Sequence, residues 1–274
     1  MRIATFNINS VRARVDRVLD VLERHDLDVL ALQETKASEK NFPYAAFEQA
    51  GYEVAHVGTG QWNGVAIVSR VGIEDVWEQF PGQPGFHKDP TKEQAVEPRC
   101  VSAVCGGVRV MSLYVPNGRE VADPHYTYKL RWLDVLSHVV RDELASHPDR
   151  PLLLVGDFNI APRDEDVWSM EFFADKTHVT EPERAAFERL LDAGLYEVTR
   201  KFTPGEYTYF DYTAGRFPNR EGMRIDFQLA SKQLARTVQA VTIDIKERQG
   251  KGASDHLPVI VDYTWPKTSD EDVR

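Results

Sequence analysis

Leu152-Leu153-Leu154-Val155-Gly156-Asp157-Phe158-Asn159 is a run of four aliphatic residues that ends in a glycine, a carboxylate and an amide. So short and unbroken an apolar run reads as a strand covered on both faces, and the glycine marks where the chain leaves the sheet. The pattern recurs along the chain. Residues 3–7 end at Asn7, and residues 28–34 end at Gln33-Glu34. Residues 109–115 carry Tyr114 and run into Pro116-Asn117-Gly118. Asp226 stands at the head of an apolar run over 225–230, and Asp255 and His256 precede another over 259–263. Further strands are predicted at 64–69, 101–105, 208–212 and 241–245.

Helical signals fall between these runs. Val11, Val15, Val18, Leu19 and Leu22 recur at helical spacing, and two more helices are predicted over 126–145 and 181–192. The last opens with Thr180-Glu181-Pro182-Glu183, which fits a capping box with proline in the first turn. Strands and helices in this mixed order predict an α/β (α+β) protein, with sheets packed on each other and helices outside. We expect one domain over residues 1–265 and a polar acidic tail over 266–274, where Asp270, Glu271 and Asp272 crowd together.

Composition narrows the function. No stretch approaches the roughly 20 apolar residues of a membrane span, and no secretory signal opens the sequence, so a cytoplasmic protein with no membrane partner is expected. Cys100 and Cys105 are too few for a disulfide scaffold or a four-cysteine zinc site. The net charge of −10 argues at first sight against a nucleic-acid partner. The balance is uneven, however: Arg200, Lys201, Arg216, Arg220 and Arg224 face only Glu206, Asp211 and Glu221 in one stretch.

If the strands lie side by side, the polar residues at their ends meet on one rim. Crowded carboxylates repel one another unless a cation or a shared proton compensates, and oxygen ligands of this kind suit Mg²⁺. A hard cation, a basic carboxylate and an imidazole suffice for phosphodiester hydrolysis. Taken singly, each residue has a plainer explanation as a turn former, helix cap or sheet residue. Only their conjunction points to chemistry.

The same residues carry a family likeness. Thr5-Phe6-Asn7-Ile8-Asn9-Ser10-Val11-Arg12-Ala13, Leu32-Gln33-Glu34-Thr35-Lys36, Tyr114-Val115-Pro116-Asn117-Gly118, Gly156-Asp157-Phe158-Asn159, Arg224-Ile225-Asp226 and Ser254-Asp255-His256-Leu257-Pro258 resemble the exonuclease III family of abasic-site endonucleases. The motifs stand in the family's order from Met1 to about Tyr263.

The resemblance implies a four-layer α/β sandwich, two packed mixed β-sheets flanked by helices, as in the DNase I-like fold. It implies a Mg²⁺-dependent enzyme of DNA repair, with Mn²⁺ as a substitute and one or two ions. It would cut the backbone 5′ to abasic sites, trim 3′→5′ and clean blocked 3′ ends. Its partner would be double-stranded DNA with abasic sites or blocked or recessed 3′ ends, met as a monomer.

The resemblance also implies roles. Glu34 becomes the principal metal ligand with Asn7 beside it, and Asp157, Asn159, Asp255 and His256 are drawn into the ligand set. Asp157 would activate the attacking water, and Tyr114 and Asn159 would hold the phosphate. His256, oriented by Asp255, would contact the scissile phosphate, with Asp226 as a further acid assisting the leaving group. Asn117 and Tyr209 would contact substrate, Tyr209 as a wall of the pocket for a base-free sugar. Met223 would wedge into the duplex beside it.

Two other readings keep parts of this picture. A superfamily phosphoesterase acting on RNA, an inositol phosphate or a lipid headgroup would share the core. The Gln33-Glu34-Thr35-Lys36 context argues against it. A nucleic-acid-binding protein that had lost catalysis would show erosion at the metal and base positions, and none is replaced.

Overall fold

A computed structural model of the chain describes residues 1–265; the expected acidic tail, 266–274, lies outside the described residues. The first sheet is built from β1 (Arg2–Asn7), β2 (Val29–Gln33), β3 (Glu53–Val57), β4 (Val65–Ser69), β11 (Val238–Ile243) and β12 (Val259–Tyr263), in the order β11-β12-β1-β2-β4-β3. The second holds β5 (Glu74–Trp77), β6 (Cys100–Cys105), β7 (Val108–Tyr114), β8 (Leu152–Asp157), β9 (Leu195–Glu197) and β10 (Asp226–Ser231), in the order β5-β6-β7-β8-β10-β9. Within each sheet one central pair is parallel, β1 with β2 and β7 with β8, and the rest are antiparallel.

Alternation along the strands explains why both sheets are covered on both faces. In β8, Leu153 and Val155 join Ile3, Val29, Val101 and Val110 in a core between the sheets. Leu152 and Leu154 point the other way, into a core with Trp132 and Leu136 of α3 (Pro124–Ser146) and Phe187 and Leu190 of α5 (Glu181–Asp192), which follows the short α4 (Met170–Phe173). In β1, Ala4 and Phe6 pack against Val18, Val21 and Leu22 of α1 (Val11–Arg24) and Phe47 of α2 (Tyr44–Gln49). Helix, sheet, sheet, helix is the four-layer sandwich that the resemblance implied.

Local chemistry fixes the elements. Helix α5 starts with the capping box expected at Thr180 and Glu183, and α3 with Asp123 accepting from the His125 N–H. Polar struts cross between the sheets: Gln33 accepts from Thr5 Oγ1 at 3.1 Å and donates to Ser112 Oγ of β7 at 3.0 Å. A buried polar strut satisfied at both ends pins the register of one sheet against the other.

One predicted strand does not form. Residues 208–212 make only isolated bridges, through Tyr209 to Met223 and to His256. Thr208 Oγ1 turns onto Asp226, and Asp211 accepts from the backbone and hydroxyl of Thr213, which bends the segment away from a ladder. Strands β3, β5 and β9 were not anticipated, and β11 begins three residues before the predicted run.

Candidate active site

Register builds the site. Tyr114 pairs with Asp157 across β7 and β8, and Asp157 pairs with Asp226 across β8 and β10, so three polar side chains stand in one row at the end of the second sheet. Asn7 pairs with Gln33 at the matching end of the first sheet, and Glu34 follows at φ +51°. Asn7 Nδ2 closes the gap, donating to Glu34 Oε1 and to Asp157 Oδ2, each at 3.0 Å. Gly156, at φ +146°, lets β8 run this close to β7, because any Cβ there would collide with the Leu113 carbonyl.

The loop before β12 brings in His256, whose Nε2 lies 3.7 Å from Asp157 Oδ2. Glu34, Asp157 and His256 thus come from three distant segments and present atoms within 4.8 Å of one another. All but Glu34 are buried. Asn9 (φ +46°), Lys36 (φ +48°) and Asn159 (φ +50°) also hold left-handed backbone around the site, a strain that concentrates where surrounding structure enforces it for function.

Two expectations are corrected. His256 Nδ1 lies 2.9 Å from Asp226 Oδ2 and 3.1 Å from Oδ1, so Asp226 orients the imidazole and Asp255 does not. Asp255 instead accepts from Asn9 Nδ2 at 3.2 Å. Thr208 Oγ1 donates to Asp226 Oδ2 at 2.6 Å, so both oxygens of Asp226 are engaged behind the histidine, and a leaving-group acid is not what its place allows.

The charges fit this geometry. Burial opposes the charge on His256, but Asp226, Asp157 and Asp255 outweigh it and lift the imidazole to about 10. Burial, reinforced by Asp226 and Glu34, pushes the Asp157 carboxyl up to about 7, against the pull of His256 and the Asn159 N–H. Glu34 is held below the usual carboxylate range: burial raises it, but Lys36 Nζ at 2.8 Å, Asn7 and His256 prevail. Burial and the neighbouring Glu34 keep the Tyr114 hydroxyl protonated.

On the other side of Asp157, its Oδ1 accepts from the Asn159 N–H at 2.9 Å. The Asn159 amide donates to Val115 O at 3.0 Å, and its Oδ1 accepts from Asn117 Nδ2 at 3.0 Å. Asn159 Nδ2 carries a second N–H beyond the one on Val115. His178, which sequence reasoning missed, sets its Nε2 at 3.3 Å from Asn159 Oδ1 and from Asn117 Nδ2, and burial lowers it to about 4, so it is a neutral ring. The tie of Lys36 to Glu34 depends on the left-handed turn at both residues, which no sequence pattern announces.

Tyr209 stands with its ring centroid 4.9 Å from that of His256 and lines a cleft of about 200 Å³ with Trp168, Phe172, Phe173, Asp211 and Met223. Met223 is 7% exposed and packed against Val167, Phe173 and Ile225, so it floors the cleft rather than projecting as the expected wedge.

The donor chemistry fits a hard divalent cation. Glu34 and Asp157 offer carboxylate oxygens on either side of the Asn7 amide, and the excess of acidic groups is only partly balanced by Lys36 and His256. Asp255 stands outside the group that comes within 4.8 Å among the described residues.

A two-sheet sandwich with carboxylates and an imidazole on one rim defines a class of phosphoester hydrolase. Residues 4–256 match the model of the Endonuclease/Exonuclease/phosphatase family, and the chain belongs to that family. Within it the chain falls in the exonuclease III group. It is 29% identical to exodeoxyribonuclease III of Haemophilus influenzae over 96% of this chain and 100% of that one. It superposes on the Neisseria 3′ phosphatase NExo bound to a product DNA hairpin with a TM-score of 0.88 at 36% identity, covering 97% of this chain and 100% of that chain. An AP endonuclease from Archaeoglobus fulgidus gives a TM-score of 0.87 at 34% identity, again over 97% and 100%. Among the described residues no helix is long and apolar enough to cross a membrane.

Proposed function

We propose that residues 1–265 act as one catalytic domain, a monomeric and cytoplasmic DNA-repair phosphodiesterase. It cuts the backbone 5′ to abasic sites and processes 3′ ends by exonucleolytic trimming and removal of blocking phosphates. The cofactor is Mg²⁺, with Mn²⁺ as a substitute. The observation that carries this reading is the meeting of Glu34, Asp157 and His256, from three distant segments, within 4.8 Å.

Glu34 and Asp157 would hold the cation, which when bound supplies Lewis-acid neutralisation of charge on the phosphate oxygens. The chain's own groups do the rest. The Asp157 carboxylate, 3.0 Å from the Asn7 amide and 3.7 Å from His256 Nε2, is placed to take a proton from the attacking water. His256, fixed through Nδ1 by Asp226, presents an Nε2–H to a phosphate oxygen. Tyr114 and the remaining N–H of Asn159 add neutral donors where negative charge grows.

The cleft beside His256 supports the substrate choice. Its aromatic walls suit a deoxyribose that has lost its base. Arg216 lies over Trp168 and Phe172, at 4.7 and 4.8 Å from their ring centroids, and Lys176 lies 3.5 Å from the Phe172 centroid. Arg216 lines the cleft beside its partner Glu221 and offers a phosphate contact on a chain whose net charge is −10.

The test is a panel of duplexes carrying an abasic analogue, a 3′-phosphate or a recessed 3′ end, beside RNA, inositol phosphate and lipid headgroup substrates. Mg²⁺-dependent turnover of the DNA substrates is expected. Turnover confined to RNA, inositol or lipid substrates would overturn the assignment.

A further inference from the structure

Beneath the loops that carry Asn117 and Asn159, a lysine and a glutamate are completely buried. Lys129 reaches in from α3, Glu183 from the first turn of α5, and neither side chain is exposed at all. Lys129 Nζ has three acceptors for its three N–H groups: Glu183 Oε1 at 2.5 Å, the Asn159 carbonyl at 2.6 Å and the Asn117 carbonyl at 3.3 Å. Glu183 is equally occupied. Its Oε1 accepts from Thr177 Oγ1 at 2.6 Å, and its Oε2 from the N–H and hydroxyl of Thr180 at 3.2 and 2.7 Å. Thr177 Oγ1 also lies 3.1 Å from the Asn117 carbonyl. Gly118 lies so close that a Cβ there would sit 2.6 Å from Thr177 Oγ1.

A buried ion pair is a poor source of stability, because desolvating both charges offsets their attraction, and apolar replacements of similar volume are often neutral. What this pair does hold is specific. The two carbonyls on the ammonium belong to the two asparagines whose amides join at 3.0 Å over the Asp157 carboxylate, one on the loop after β7 and one on the loop after β8.

We propose that Lys129 and Glu183 are positioning residues, an electrostatic clamp that sets the Asn117 and Asn159 loops for catalysis. The inference rests on the reading of Asn159 as a phosphate donor. Loss of the clamp lets that amide drift while the cation ligands stay put. A misplacement on the order of 1 Å at a reacting centre lowers turnover by about 10²-fold.

The test pairs two variants, each measured on a Mg²⁺-loaded duplex carrying a 3′-phosphate. Lys129→Met with Glu183→Leu removes both charges while retaining volume. Thr177→Val severs the hydroxyl link with little change of shape. The double variant is expected to melt lower, because the Glu183 half of the capping box and the buried partners of both charges are lost, and to lose about 10²-fold in kcat with KM within about threefold at a temperature where it is folded. Thr177→Val is expected to lose several-fold in kcat alone. If the double variant does not fold, Thr177→Val decides. Wild-type kcat in the folded double variant, or in Thr177→Val when it alone folds, would overturn the clamp. Inactive wild-type protein would instead overturn the function on which it rests.

Discussion

Asp226 Oδ2 lies 2.9 Å from His256 Nδ1, although 30 residues separate them and Asp255 adjoins the histidine in sequence. The pairing follows from register: Asp226 opens β10 directly opposite Asp157 of β8, and His256 folds over that row. Asp226→Asn should therefore lower kcat on a 3′-phosphate duplex by about 10²–10⁴-fold, the usual weight of a correctly protonated imidazole. Asp255→Asn should lose less than about tenfold. Equal losses would return the orienting role to Asp255.

Asp157 is buried between Glu34, Asp226 and His256, where its charge is opposed by burial and by two other carboxylates. Asp157→Asn should nearly abolish incision, by about 10²–10⁴-fold, while the metal-free protein melts at or above the wild-type temperature. Near-wild-type turnover would remove Asp157 as the base, and a large fall in Tm would show that its charge serves the fold.

Glu34 is the most exposed of the clustered acids and is already ionised by Lys36. Glu34→Ala should raise the Mg²⁺ concentration for half-maximal rate by about 10–100-fold. It should also abolish the rise in Tm that Mg²⁺ gives the wild type. An unchanged metal titration would contradict its place as a ligand.

Tyr209 walls the cleft with its hydroxyl on Asp211 at 3.1 Å. Tyr209→Ala should lower kcat/KM for an abasic duplex by about 10–200-fold and for a 3′-phosphate duplex by much less. Equal losses on both would mark it as a core residue.

Away from the site, Asp244 accepts from Arg24 at 2.6 Å and faces His25 Nε2 at 2.8 Å. Burial resists its charge, but His25 and Arg24 overcome this and hold the carboxyl down to about 2. A carboxyl depressed in the folded state stabilises above its ordinary pKa of about 4, and that stability is lost as pH falls through 2. Asp244→Asn should lower Tm at neutral pH, and the gap from wild type should close across that window. A gap that persists at pH 2 would show that the loss is one of packing.

Much of the fold was legible because the central strands are apolar on both faces, so β1, β2, β4, β6, β7, β8, β10 and β12 stand out as runs. Strands β5 and β9 are short edges with exposed side chains, Glu74, Asp75 and Tyr196 among them, and carry no such pattern. Residues 208–212 have the composition of a strand, but the Thr208 and Asp211 side chains capture the backbone first. At the site, Asn7, Glu34, Asp157 and His256 were legible as the polar ends of apolar runs. Which aspartate meets His256 was not, because adjacency across a sheet is set by register and not by distance along the chain. The same limit hid His178 and Lys129, which meet Asn159 across 19 and 30 residues of chain.

The most direct test is anomalous diffraction from crystals grown with Mn²⁺. An ion should appear between the Glu34 and Asp157 carboxylates, at about 2.2 Å from an oxygen of each, with His256 Nε2 facing the same space. Ordered crystals at saturating Mn²⁺ that show no peak there would contradict the account.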